Sequence, residues 1–217
     1  MLLEELRTAV VQVGKELAAS GLVLGTWGNV SAREGDLVAI TPSGLPYSAL
    51  APEDIVVVDL EGETVEGKWR PSTELPLHLA VYRKRPDVGG IVHTHSVGSM
   101  TLAACHHPLP PFTEEQAQLI GGRVPVAAYA PPGTEELAQA AVAALGEGKA
   151  VLLANHGLVG VGKTVEEALL TCQVVEKSAQ IYLWACLLGG PVLLSEEEVR
   201  SLRENFLRNY GQKGAGG

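Results

Sequence analysis

The chain is poor in aromatic residues, in cysteine and in clustered positive charge, and each shortage narrows what it can be. Aromatic residues make up 5% of its 217 positions, so a core has to be built mainly from Leu, Val and Ala. Cys105, Cys172 and Cys186 are its three cysteines. An odd number with no Cys-x-x-Cys spacing excludes a disulfide framework and predicts reduced thiols in the core of a cytoplasmic protein. Lys and Arg total 16 against 25 Asp and Glu, a formal net charge of −9. No basic block stands out, which argues against nucleic-acid or anionic-membrane partners, because both bind through clustered Lys and Arg. No apolar run approaches the ~20 residues of a membrane span. Met1-Leu-Leu-Glu-Glu is acidic where a signal peptide is basic. The expectation is a soluble, cytoplasmic protein with a small-molecule ligand.

What is present is enough for one sizeable domain. Hydrophobic residues are 46% of the chain, which excludes wholesale disorder. A single domain is expected over residues 1–211, with 212–217, rich in glycine, as a flexible tail. Apolar positions 2, 3, 6, 9, 10, 13 and 17 form a helical stripe over 2–19. Strands are expected at 29–32, 37–40, 55–59, 90–95, near 124–128, at 150–154 and at 158–161. Helices are expected at 73–84, after Thr134, from Thr164 through about 188 and after Ser195, the last two opened by capping boxes. Hairpin-like strand pairs mixed with helical crossovers predict an α/β fold, a three-layer α/β/α domain with a central mixed, mainly antiparallel sheet.

Three histidines carry the chemistry. His93 and His95 close the run Gly-Gly-Ile-Val-His-Thr-His, and His156 closes Val-Leu-Leu-Ala-Asn-His-Gly. Residues i and i+2 of a strand share a face, so His93 and His95 can offer nitrogens to one ion. With His156 at a second strand end they form a three-imidazole set with an open fourth position, the hallmark of a catalytic rather than a structural zinc. A half-exposed pair with no ligand is the plainer meaning of His-x-His, and the second strand end weighs against it.

Three segments combine glycine with small hydroxyl or amide side chains: Gly25-Thr26-Trp27-Gly28-Asn29-Val30-Ser31, Thr41-Pro42-Ser43-Gly44 and Pro71-Ser72-Thr73-Glu74. Glycine lets backbone N–H groups approach an anion, and hydroxyls add donors without bulk. Ser72 and Thr73 are expected to open a helix whose free N–H groups favour a phosphate. Each segment alone is ordinary turn chemistry. Glu74 follows directly, and a carboxylate there can ligate the ion or move a proton, or simply complement a helix dipole. His78 reads as structural and His106-His107 as part of a loop.

In this order, Gly-Thr-x-Gly-Asn-Val-Ser, Thr-Pro-Ser-Gly, Pro-Ser-Thr-Glu, His-Thr-His and Asn-His-Gly resemble the class II aldolase/adducin family, the group that includes L-fuculose-1-phosphate aldolase and L-ribulose-5-phosphate 4-epimerase. The likeness runs from the first helix to about Tyr210. It implies Zn2+, with Mn2+ or Co2+ as alternatives, held by His93, His95, His156 and Glu74, and Glu74 as acid/base once substrate displaces it. It implies substrate phosphate binding by Gly28, Asn29, Ser43, Gly44, Ser72 and Thr73. It also implies a homotetramer with active sites at subunit interfaces. The implied reaction is cleavage of a ketose 1-phosphate, L-fuculose 1-phosphate or similar, to dihydroxyacetone phosphate and an aldehyde such as L-lactaldehyde, the metal stabilising an enediolate. A Schiff-base route needs a buried lysine, and only Lys149 borders an apolar strand.

One departure matters. Where the fuculose enzyme places a tyrosine that protonates the aldehyde oxygen, this chain has Pro111-Phe-Thr-Glu-Glu-Gln-Ala-Gln118, with Glu115 at the matching distance from Gly121-Gly122 and Glu114 beside it. Glu115 is therefore a candidate proton donor, an exposed helix glutamate being the plainer meaning. Tyr210 matches the family's C-terminal tyrosine, and its plainer role is to anchor the last helix. The alternatives within the family are a 4-epimerase or sugar-phosphate dehydratase, or a scaffold like the adducin head. Glu74, where epimerases carry aspartate, favours the aldolase, and the intact histidines disfavour the scaffold.

Overall fold

The computed structural model describes residues 1–210, so the expected tail at 212–217 lies outside the described residues. Among the described residues, eight strands form one sheet: β1 (Asn29–Glu34), β2 (Leu37–Ile40), β3 (Val56–Asp59), β4 (Thr64–Glu66), β5 (Gly90–Thr94), β6 (Val126–Ala127), β7 (Ala150–Leu153) and β8 (Gly157–Gly162). Their spatial order is β4-β3-β2-β1-β5-β8-β7-β6. All pairs are antiparallel except β6 with β7. This is the mixed, mainly antiparallel sheet expected from the sequence.

Strand alternation divides the core in two. Val30, Ala39, Val57, Val92, Leu152 and Leu158 face one cluster with α1 (Glu4–Ala19), α3 (Val97–Ala104) and α6 (Val165–Leu187). Val38, Val56, Ile91, Val151 and Val159 face another with α2 (Leu75–Lys84) and α5 (Glu135–Leu145). Helices on both faces give the three layers. α4 (Glu114–Leu119) and α7 (Glu196–Asn209) pack together at one side. Each fully buried Val or Leu contributes roughly 1.5–3 kcal/mol, and the two inner faces together fix the register of β5. No described helix is long and apolar enough to cross a membrane.

Several expectations change. The strand expected at 90–95 ends at Thr94, leaving His95 just past it. The expected helix at 73–84 starts at Leu75, with Glu74 as its N-cap. The strand near 124–128 shrinks to Val126–Ala127, because Val124 bridges Leu109 instead. α3 and β4 were not anticipated: α3 begins Val-Gly-Ser, residues of weak helix propensity. Only Cys172 is a core thiol; Cys105 and Cys186 are exposed, Cys186 among the exposed Trp184, Leu187 and Leu188 near the end of α6. Lys149 enters β7 at the end opposite the β7–β8 turn.

Candidate active site

The site forms where β5, the β7–β8 turn and the segment before α2 meet. Ile91 of β5 lies on the α2/α5 face, and the two-residue repeat carries His93 and His95 to the same side. β8 pairs with β5 through His93 opposite Val159. The turn before it brings in His156 by placing Asn155 at φ 57, a left-handed conformation that asparagine tolerates. Glycine is required next to it. A Cβ on Gly157 would collide with the Thr94 carbonyl oxygen and stand 3.0 Å from His93 Cε1. Gly157→Ala is therefore expected to push the His93 ring aside, lowering zinc affinity at least about tenfold at a stability cost of roughly 1–3 kcal/mol. Chelator competition beside urea unfolding measures both, and unchanged zinc affinity would refute the displacement.

His93, His95 and His156 bring one nitrogen each to within 4.8 Å of one another. His93 Nε2 and His95 Nε2 are 2.9 Å apart. Glu74 joins them, with Oε2 3.2 Å from His93 Nε2 and Oε1 3.3 Å from His156 Nε2. The His93 ring is oriented by its Nδ1–H, which donates to the Leu158 carbonyl at 3.0 Å and leaves the Nε2 lone pair facing the centre. Burial lowers the pKa of all three imidazoles, that of His95 to about 4, so they are neutral ligands at pH 7. Burial raises Glu74 to about 6 against an opposing hydrogen bond from Asn29. Glu74 Oε2 is buried without a hydrogen-bond donor. Lone pairs converging on one point with no proton to share are what a divalent cation satisfies. Three imidazoles and a carboxylate suit zinc, and also Mn2+ or Co2+.

His78 has the structural role expected of it. It is buried, neutral, with burial lowering its pKa to about 3, and belongs to a chain of hydrogen bonds. Its Nε2 lies 2.5 Å from Asn29 Oδ1 and its Nδ1 2.6 Å from Ser31 Oγ, which is 2.8 Å from Tyr82 Oη. A neutral ring has one donor, so Nε2–H donates to Asn29 and Ser31 donates to Nδ1. That fixes the Asn29 amide with its N–H groups toward Glu74. Sequence reasoning identified Asn29 and gave His78 a structural role, but did not connect His78, Ser31 and Tyr82 to the aiming of Asn29.

The hydroxyl-rich segments line one cavity with the histidines and Glu74, about 470 Å³ in volume. Residues 41–44 and 70–72 are zipped together: Ser72 N–H donates to the Thr41 carbonyl and Ser43 N–H to the Arg70 carbonyl, both at 3.0 Å. The expected phosphate-binding helix end is corrected here. Leu75 and Leu77 donate their N–H groups to backbone carbonyls, and Pro76 has none to give. The residues lining the cavity offer instead the hydroxyls of Thr26, Ser43, Ser72 and Thr73 and the amides of Gly44, at φ 75, and Asn29. Among the described residues, no lysine or arginine lines this cavity. Gly28 also lines it, as do Thr26, Trp27 and Pro132, which sequence reasoning did not assign.

Glu115 and Tyr210 are not brought to the histidines. They line a second cavity, about 370 Å³, with Lys177 and Phe206. Glu115 is 57% exposed and pairs with Lys177 Nζ at 2.7 Å. Glu114 opens α4 in its first turn.

With this geometry in view, the chain matches the family model for the class II aldolase and adducin N-terminal domain over residues 8–183. It is 43% identical to the 5-deoxy-D-ribulose 1-phosphate aldolase of Bacillus thuringiensis, over 98% of this chain and all of that one. It is 40% identical to the 5-methylthioribulose-1-phosphate/5-deoxyribulose-1-phosphate aldolase of Rhodospirillum rubrum, over 95% of this chain and 92% of that one. A solved L-fuculose 1-phosphate aldolase superposes with a TM-score of 0.92 at 38% identity, covering 95% of this chain and 98% of the other. The chain belongs to the class II aldolase and adducin family, among its aldolases.

Proposed function

We propose that the protein cleaves a ketose 1-phosphate of the L-fuculose 1-phosphate or 5-deoxyribulose 1-phosphate kind into dihydroxyacetone phosphate and a short aldehyde. The observation that carries this is one cavity holding both an anion cradle with no lysine or arginine among its described residues and the cluster of three histidines and Glu74. Such a cradle holds the phosphate by hydrogen bonds alone, so substrate position depends on direction as well as charge.

A divalent cation held by His93, His95, His156 and Glu74 supplies the Lewis acid that draws electrons toward the substrate carbonyl as the bond breaks. The residues do the rest. The C4 hydroxyl passes its proton to the group that serves the C4 oxygen, which returns it to water, the C3–C4 electron pair moves to the three-carbon fragment, and C4 leaves as the aldehyde. Glu74, displaced from the cation by the substrate and protonated from water, delivers that proton to C3, completing dihydroxyacetone phosphate, and takes it back in the condensation direction. Gly28, Asn29, Ser43, Gly44, Ser72 and Thr73 hold the phosphate that keeps C3 in reach.

The group serving the C4 oxygen comes from a neighbouring subunit of a homotetramer. Supporting this, Glu115 and Tyr210 share a cavity outside the histidine site, and α6 with the segment after it exposes Ile181, Trp184, Leu187, Leu188 and Val192. Such an apolar row suits burial against another copy. Glu115 next to Lys177 also keeps a 4-epimerase as the second reading, since a carboxylate there can serve an aldehyde that rotates before the bond re-forms.

Incubating the zinc-loaded protein with L-fuculose 1-phosphate, 5-deoxyribulose 1-phosphate or L-ribulose 5-phosphate separates these readings. Release of dihydroxyacetone phosphate from either ketose 1-phosphate is expected, together with its loss on chelation and recovery when zinc is restored. Pentose interconversion without triose release would instead make the protein an epimerase.

A further inference from the structure

Trp27 is 64% exposed, so its indole contributes little to the core. It is nevertheless held firmly. The loop carrying it turns at Gly25 (φ 65) and Gly28 (φ 79), and the Trp27 N–H donates to the Leu24 carbonyl at 3.3 Å. The same loop is fastened to the strand that bears the histidines. His95 N–H donates to the Leu22 carbonyl at 3.1 Å, and a Cβ on Gly28 would meet the His93 carbonyl oxygen at 2.6 Å. The loop so held places the indole beside the His95 ring, with centroids 5.7 Å apart. Trp69 is a useful contrast: its indole N–H donates to Asp54 at 2.9 Å and Lys68 lies over its ring, so its purpose is local structure. Trp27 has no such use, and it faces the active-site cavity.

The cavity lining divides by chemistry. Hydroxyls, glycines and Asn29 suit a phosphate, with Pro42 inside that cradle, and the imidazoles and Glu74 suit a cation and the oxygens it draws. What remains is apolar: Trp27 and Pro132. A substrate fixed at its phosphate and at its reacting oxygens has one part left over, the carbon chain beyond the cleaved bond.

We propose that Trp27 is a specificity-determining residue, an apolar wall that selects ketose 1-phosphates whose aldehyde fragment ends in an apolar group such as methyl over those ending in hydroxymethyl. This deepens the ketose 1-phosphate reading and rests on it. Packing a methyl group against an indole is favourable, whereas a hydroxymethyl group there gives up water without finding a partner. A preference of roughly tenfold or more follows from a contact of this size.

The test compares 5-deoxyribulose 1-phosphate with ribulose 1-phosphate, which differ only at that terminus, using zinc-loaded wild type, Trp27→Ala and Trp27→Phe. The wild type is expected to favour the deoxy sugar by about tenfold in kcat/KM. Trp27→Ala is expected to reduce the preference below about threefold, mainly by raising KM for the deoxy sugar, and Trp27→Phe to retain most of it. Thermal unfolding of both variants is expected to stay near that of the wild type, because the side chain is exposed. An unchanged ratio in Trp27→Ala, equal losses on both sugars, or a wild type without preference would overturn the role of Trp27 while leaving the aldolase reading intact. Cleavage of neither sugar would overturn both.

Discussion

Glu74→Gln is expected to lower kcat for ketose 1-phosphate cleavage about a thousandfold, equivalent to roughly 4 kcal/mol of transition-state stabilisation. Glu74 is 5% exposed and its backbone is fixed on both sides: its N–H donates to Ser72 Oγ at 3.2 Å and its carbonyl accepts from Leu77 N–H at 3.0 Å. Glutamine keeps the length and volume, so the fold survives. It removes the negative charge beside His93 and His156 and cannot exchange a proton at C3. Measuring kcat at saturating zinc separates lost proton transfer from weakened metal binding. A second readout needs no aldehyde: wild type is expected to exchange the C3 hydrogen of dihydroxyacetone phosphate with deuterated water, and Glu74→Gln to have lost that exchange. A zinc-saturated variant that retains a tenth of wild-type cleavage would remove Glu74 from the mechanism.

The same variant probes where the far-side proton group comes from. Glu74→Gln and Glu115→Gln subunits, each poorly active alone, are expected to regain activity when assembled together, because some interfaces then pair an intact Glu74 with an intact neighbouring Glu115. An assembled mixture no more active than its components, or a Glu115→Gln protein as fast as wild type, would count against Glu115.

Much of this site is local in sequence, which is why it was legible there. His93 and His95 are two residues apart, and the alternation of β5, carried one residue past its end, sets them on one face. His156 sits where an apolar run ends in Asn-His-Gly, and Asn155 adopts a left-handed conformation that asparagine tolerates. What could not be read depends on contacts distant along the chain. His78 aims Asn29 from 49 residues away. Ser72 and Thr73 resembled a helix start, but Pro76 and the bonds of Leu75 and Leu77 leave their hydroxyls as the useful donors. Trp27 gave no pattern to read, since a single aromatic in a glycine turn acquires meaning only from its neighbour His95. α3 escaped notice because its stability comes from α6 rather than from its own residues.

That last dependence has a measurable cost: Glu176→Ala is expected to destabilise the protein by about 4 kcal/mol. The Glu176 carboxylate, 5% exposed on α6, reaches the first turn of α3. It accepts from Gly98 N–H at 2.7 Å and from Ser99 N–H and Ser99 Oγ at 2.8 Å each, and Gln180 adds a further bond at 2.8 Å. A helix start leaves its N–H groups unsatisfied, and here another helix supplies the acceptor. Removing it strands buried donors at about 1–3 kcal/mol each, partly offset by entering water. Burial alone would raise the Glu176 pKa, but the bonds from Gln180, Ser99, Gly98 and Ser96 outweigh it and hold the group below the usual glutamate range. A carboxyl depressed in the folded state contributes stability above its unfolded pKa and loses it as pH falls through the folded one. Glu176→Gln, which keeps the shape and loses the charge, should therefore differ most from wild type near neutrality and converge on it only as pH falls through the depressed pKa of the folded state. Urea unfolding of both proteins, each without metal so that the histidine site does not add its own pH dependence, measures the gap. A gap that stays constant into acid would mean that Glu176 acts through packing, because only a charge-dependent bond is lost on protonation.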